Sequence, residues 1–109
     1  MRSTVLEYYI GLDLGQKADY SAIAIVEFRA AGLPHFLTPW DEPRDCYGLR
    51  HLERMPLGTP YPRVVERVAR MTRLSELARR CTLVVDATGV GAPVVDALRQ
   101  RELDCHLIS

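Results

Sequence analysis

Hydrophobic and polar positions along the chain predict seven elements, in the order strand, strand, strand, helix, strand, helix, strand. Two apolar runs at 7–14 and 20–28 are joined by a short polar loop, which predicts an antiparallel hairpin. The segment 29–44 contains four glycine or proline residues and is expected to be irregular, with a short strand at 35–37. A third strand is predicted at 46–55. Its alternation divides it into one side with Tyr47, Leu49 and His51 and another with Arg50, Leu52 and Arg54.

The second half of the chain alternates between helical and extended patterns. Pro60 and Pro62 indicate a helix start, and a helix is predicted over 62–80. Its apolar stripe recurs every three or four residues, at Val64, Val68, Met71, Leu74 and Ala78. A buried strand follows at 81–86, then a shorter amphipathic helix with Pro93 near its first position, and a last strand at 103–108.

This order predicts an α/β fold with a five-stranded mixed sheet, three strands antiparallel and the later ones parallel, flanked by helices. A right-handed crossover sets the fourth strand beside the first. Asp13 and Asp86, which end those two strands, are then neighbours at the carboxyl edge, where α/β sheets place their chemistry. Two adjacent carboxylates repel each other unless a cation lies between them, so the pattern indicates a metal site. The alternative is structural: Asp13 as a turn residue and Asp86 as a helix cap.

Composition limits the classes of protein that fit. The 109 residues suit one domain, and 48% hydrophobic with 26% charged residues is typical of a soluble globular protein. No apolar stretch has membrane-spanning length and the first residues lack a signal-peptide core, so we expect a cytoplasmic protein. The net charge is zero, yet 50–80 holds eight arginines and three glutamates. That stretch is either a basic face or an ordinary solvated helix surface. The three cysteines and three histidines form no ligand pattern.

Two segments carry a resemblance to a known family. The sequence IGLDLGQKADYSAI at 10–23 resembles the opening of the nuclease domain of phage terminase large subunits, within the ribonuclease H-like superfamily. The sequence VVDATGVGAPVVD at 84–96 resembles that domain's fourth strand and following helix. The resemblance implies a prophage-type hydrolase that cleaves double-stranded DNA with Mg²⁺ or Mn²⁺ and works with phage packaging proteins. Asp13 and Asp86 would be catalytic metal ligands, and Asp19 an auxiliary acid.

The chain also departs from that family. Such nucleases draw a further acid from a helix beyond the fifth strand, and the late acids Asp96, Glu102 and Asp104 do not match its position. We therefore expect a single ribonuclease H-like domain over 1–109, truncated before the final helix. It is either an incomplete nuclease, a prophage remnant or a non-catalytic interaction domain.

Two other classes of protein share single features with this sequence. Actin-like and sugar-kinase ATPases also have an Asp-x-Gly motif after a strand, but such enzymes need two domains to hold a nucleotide. Gly89 and Gly91 suggest a phosphate loop, yet a third glycine and a P-loop lysine are missing, so this loop is predicted to be a tight turn. DNA contacts are expected near Lys17 rather than along the arginines of the long helix.

Overall fold

The computed structural model describes residues 6–15, 19–30, 45–86 and 91–109, which form a mixed five-stranded sheet and two helices. The α/β mixed sheet predicted from the sequence is confirmed. The predicted strand at 35–37, Lys17 and the loop residues 87–90 lie outside the described ranges. The elements are β1 (Leu6–Asp13), β2 (Ala22–Arg29), β3 (Cys46–Arg54), α1 (Tyr61–Thr72), β4 (Cys81–Asp86), α2 (Gly91–Arg99) and β5 (Cys105–Ile108).

The strand order across the sheet is β3-β2-β1-β4-β5. β1, β2 and β3 are antiparallel neighbours, while β4 runs parallel to β1 and β5 runs parallel to β4. The predicted crossover that sets β4 beside β1 is therefore confirmed. As a result, the carboxyl ends of β1 and β4 meet at one edge of the sheet.

Both helices pack on the same face of the sheet. Alternate residues of the strands enter one core with the inner faces of α1 and α2, and each fully buried aliphatic side chain contributes about 1.5–3 kcal/mol by leaving water. The largest fully buried apolar side chains are Ile10, Leu12, Ile23, Leu83, Leu98, Val64 and Val68. Neither helix is long and apolar enough to cross a bilayer, as far as the described residues extend.

The predicted long helix is wrong in its extent, because α1 ends at Thr72 and the chain continues through turns to Arg80. Tertiary contacts override the helical pattern here. The turns bury Leu77 and expose Leu74, which the stripe had placed inward. Near the end of these turns Arg79 adopts a left-handed conformation with φ of 64°. Its N–H donates to the Asp104 carbonyl at 2.9 Å. The second helix begins at Gly91, two residues before Pro93.

The predicted sides of β3 are wrong beyond Leu49, because the pairing with β2 shifts between Ile25 and Val26. Ile25 pairs with His51 and Val26 with Leu49, so Arg50 is an extra residue in a β-bulge. After the bulge Leu52 lies on the same face as Leu49, away from the helices. That face, which no described element covers, exposes large apolar side chains at Tyr47, Leu49, Leu52, Val84 and Ile108.

Candidate metal centre at the sheet edge

Asp13 and Asp86 are directly opposite each other in the parallel pair of β1 and β4. Each is the last residue of its strand, and both side chains are exposed. They line one shallow depression of about 350 Å³ on the face of the sheet that is opposite the helices. The predicted juxtaposition of these two residues is thus present. Neighbouring strands are about 4.8 Å apart, so two negative charges are held close together at an accessible edge.

The backbone that follows Asp13 is held by two hydrogen bonds, one to Ser21 just before β2 and one from Tyr61 of α1. The N–H of Gly15 donates to the Ser21 hydroxyl at 3.0 Å, and the Tyr61 hydroxyl of α1 donates to the Gly15 carbonyl at 2.7 Å. A Cβ at Gly15 would lie 2.5 Å from the carbonyl oxygens of both Asp19 and Tyr20, so only glycine fits. These contacts fix the direction of the chain two residues beyond Asp13.

The other acids singled out in the sequence lie elsewhere. Asp19 is exposed and lines a separate cavity of about 240 Å³ between the loop after β1 and the loop before α1. Asp96 is exposed on α2, and Asp104 precedes β5 at the opposite edge of the sheet from Asp86. Across the described ranges there is no group of three or more His, Cys, Asp or Glu side chains able to hold a metal ion. Asp13 and Asp86 are therefore a two-carboxylate pair in this part of the chain.

A different carboxylate, Glu27, lies beneath the helices at the other end of the sheet. Its side chain is 8% exposed and accepts hydrogen bonds from Arg50 and Arg29, both at 2.8 Å, and from the Tyr8 hydroxyl at 3.2 Å. The bond from Arg50, with those from Arg29 and Tyr8, outweighs burial and lowers the pKa of Glu27 to about 2. The β-bulge provides this arrangement, because it turns Arg50 toward Glu27 over the bare backbone of Gly48.

Glu53 is compensated in the same way. Arg67 of α1 donates two hydrogen bonds to its carboxylate, at 2.7 and 3.0 Å, and His51 Nε2 lies 2.6 Å from Oε1. The Arg67 bonds, aided by His51, lower the pKa of Glu53 to about 2 against the opposing effect of burial. Arg50 and Arg67 belong to the possible basic face of 50–80, but both form ion pairs within the fold: Arg50–Glu27 joins β3 to β2, and Arg67–Glu53 joins α1 to β3.

Sequence reasoning missed two features of this sheet. Glu27 follows Ile23 and Ile25 at two-residue steps, so the period of a strand already places it on the buried face. Arg54 and Tyr20 flank the carboxyl edge, with the guanidinium carbon 4.0 Å from the ring centroid. Their contact depends on the bulge in β3, and no local pattern signalled the bulge.

Comparison with known proteins adds no assignment. No protein-family model, curated protein or solved structure matches the chain.

Proposed function

We propose that this chain is a metal-dependent DNA endonuclease domain of the ribonuclease H-like type, resembling the nuclease of phage terminases. The observation that carries the proposal is the in-register pairing of Asp13 and Asp86 at the ends of two adjacent parallel strands. The strand order, with three antiparallel strands followed by two parallel ones, agrees with the resemblance of the segments 10–23 and 84–96.

The two carboxylates fit a hard divalent cation. Carboxylate oxygens are ligands that Mg²⁺ and Mn²⁺ accept, and a cation offsets the repulsion between Asp13 and Asp86. When bound, such ions make water a stronger nucleophile and stabilise negative charge on the leaving oxygen of a phosphodiester. The chain's own part is to hold the acids side by side on an exposed edge that a polymer can approach. Mg²⁺ is commonly bound by one or two carboxylates together with waters and substrate phosphate oxygens, so two acids are enough for such a site.

A non-catalytic interaction domain is the second candidate function. The observation in its favour is the apolar surface beside the acids, where Leu49 and Leu52 are 60% and 66% exposed. Large exposed apolar patches are typical of surfaces that bind another protein. The ATPase alternative has no comparable observation in the structure to support it.

The proposal is tested first by thermal melting of the whole chain with and without millimolar Mn²⁺. Binding to the folded state alone stabilises it by about 2.7 kcal/mol at a hundred times the Kd, which raises the Tm of a domain this size by about 10 °C. We expect the shift in the unmutated chain and in Asp96→Asn, which removes an exposed carboxylate from α2. It should be absent in Asp13→Asn and in Asp86→Asn.

Cleavage of plasmid DNA in Mn²⁺ is the second measurement. The unmutated chain and Asp96→Asn should nick the plasmid, and either aspartate variant at the sheet edge should lose the activity. If Mn²⁺ and Mg²⁺ leave the Tm of the unmutated chain unchanged, the metal site is contradicted and the interaction domain is favoured. A metal shift without cleavage would contradict the nuclease while leaving the cation site in place.

A further inference from the structure

Arg54 lies in the same row of the sheet as the two aspartates. In the strand register Arg54 pairs with Ala22, Ala22 pairs with Asp13, and Asp13 pairs with Asp86. Directly paired residues of adjacent strands direct their side chains to the same face, so the arginine and both acids belong to the face opposite the helices. With strands about 4.8 Å apart, the Cα atoms of Arg54 and Asp13 are about 10 Å apart.

The guanidinium of Arg54 is paired with an aromatic ring and not with an acid. It lies over the ring of Tyr20, 4.0 Å from the centroid, and the tyrosine is 42% exposed. No carboxylate in the described ranges forms an ion pair with Arg54, in contrast to Arg50 and Arg67, which bind Glu27 and Glu53. Stacking occupies the flat face of a guanidinium, whereas its N–H donors point outward in the plane. Those donors therefore remain available to an external anion.

The backbone next to this pair is well anchored. Ser21 follows Tyr20, and Met55 follows Arg54. The backbone N–H of Met55 donates to the backbone carbonyl of Ser21 at 2.9 Å. The Ser21 hydroxyl accepts the N–H of Gly15 at 3.0 Å, which ties the same point to the end of β1. Ser21 and Met55 are both buried at 8% exposure. The backbone that carries Arg54 and Tyr20 is thus fixed before any ligand binds. This lowers the conformational entropy that binding must remove.

We infer that Arg54, supported by Tyr20, binds a backbone phosphate of the same nucleic-acid strand that passes Asp13 and Asp86. This inference rests on the proposed function and adds a substrate-positioning residue to it. A planar guanidinium binds phosphate through two parallel hydrogen bonds. Phosphates repeat along each strand, so one strand can present one phosphate to Arg54 and another to the edge that carries the two acids. A small monoanion would engage the arginine without reaching the acids.

The test is fluorescence anisotropy of a labelled DNA duplex with the full chain in EDTA, measured over a series of salt concentrations. Because metal is absent, the readout does not depend on cleavage. Losing one charge-assisted phosphate contact in Arg54→Gln should weaken binding roughly tenfold. It should also reduce the slope of log affinity against log salt by about 0.9, the value for one phosphate contact. A purely structural role would not change that slope.

Four further variants separate the effects of charge, stacking and position. Arg73→Gln removes the same charge at the far end of α1 and should leave affinity and slope unchanged. Arg54→Lys keeps the charge and the slope but loses two-point binding, so its affinity should fall between those of the parent and Arg54→Gln. Tyr20→Phe keeps the ring and should bind like the unmutated chain, whereas Tyr20→Ala should weaken binding with little change in slope.

The outcomes distinguish this inference from the proposed function. If the unmutated chain binds DNA and Arg54→Gln matches Arg73→Gln in affinity and slope, the role of Arg54 is overturned and the metal site is unaffected. If the unmutated chain binds no duplex, the inference is also overturned, and the Mn²⁺ melting experiment then decides separately whether the cation site exists. A duplex RNA of the same sequence, run in parallel, tells whether the site distinguishes the two nucleic acids.

Discussion

Glu27 and the pair Asp13–Asp86 occupy opposite ends and opposite faces of the same sheet, and the groups around their carboxylates differ. Glu27 is buried and receives hydrogen bonds from Arg29, Arg50 and Tyr8. Asp13 and Asp86 are exposed, and the residue directly opposite each of them is another aspartate. The first arrangement stabilises the fold with the chain's own cations. The second places two carboxylates side by side at an exposed edge, where the proposed function would put a divalent cation.

The first prediction is that lowering the pH from 5 to 2 weakens the fold through Glu27 and Glu53. Their pKa values are lowered from 4.5 to about 2 in the folded state, so their stabilisation is complete above pH 4.5 and is lost as the pH falls through about 2. After allowance for solvent screening, each carboxylate should contribute on the order of 2 kcal/mol. Urea unfolding between pH 5 and 2 measures the loss. A free energy of unfolding that stays constant over this range would contradict the role assigned to both groups.

The second prediction separates the contribution of Glu27 to stability from that of Glu53. Replacing it in Glu27→Gln keeps the shape but leaves Arg50 and Arg29 without their counter-charge, so the free energy of unfolding should fall by about 2 kcal/mol. The same variant should lose roughly half of the acid dependence, because Glu53 alone still titrates. Double replacement with Arg50→Gln should cost less than the sum of the single changes. Additive losses would mean that the carboxylate and Arg50 do not interact in solution.

Much of the architecture could be predicted from local pattern because its strands are short and apolar with clear ends. The bounds of β4 match the prediction, and its place beside β1 follows from the handedness of the crossover. These two facts are enough to bring Asp13 to Asp86. The functional assignment stays a prediction, since pairing alone does not establish metal binding.

The missed features share a physical cause, which is a contact between residues far apart in sequence. α1 ends early where the chain turns to reach Asp104, and the bulge at Arg50 accompanies an ion pair with Glu27, 23 residues away. Helical periodicity continues through 73–80 and strand alternation through 46–55, so neither pattern contains the interruption. The contact of Arg54 with Tyr20 was missed for the same reason, because it requires the shifted register of β3.

The third prediction concerns Asp13→Asn, for which we expect a change in the free energy of unfolding opposite in sign to that of Glu27→Gln. Asp13→Asn also converts a carboxylate to an amide, but it removes one of two like charges that face each other across β1 and β4. In the absence of divalent metal, the free energy of unfolding should rise by about 0.5 kcal/mol, and the gain should shrink as salt screens the repulsion. Chemical denaturation in EDTA at low and high salt measures both effects. A loss of stability in Asp13→Asn as large as that in Glu27→Gln would show that Asp13 is structural, and the contrast between the two ends of the sheet would fail.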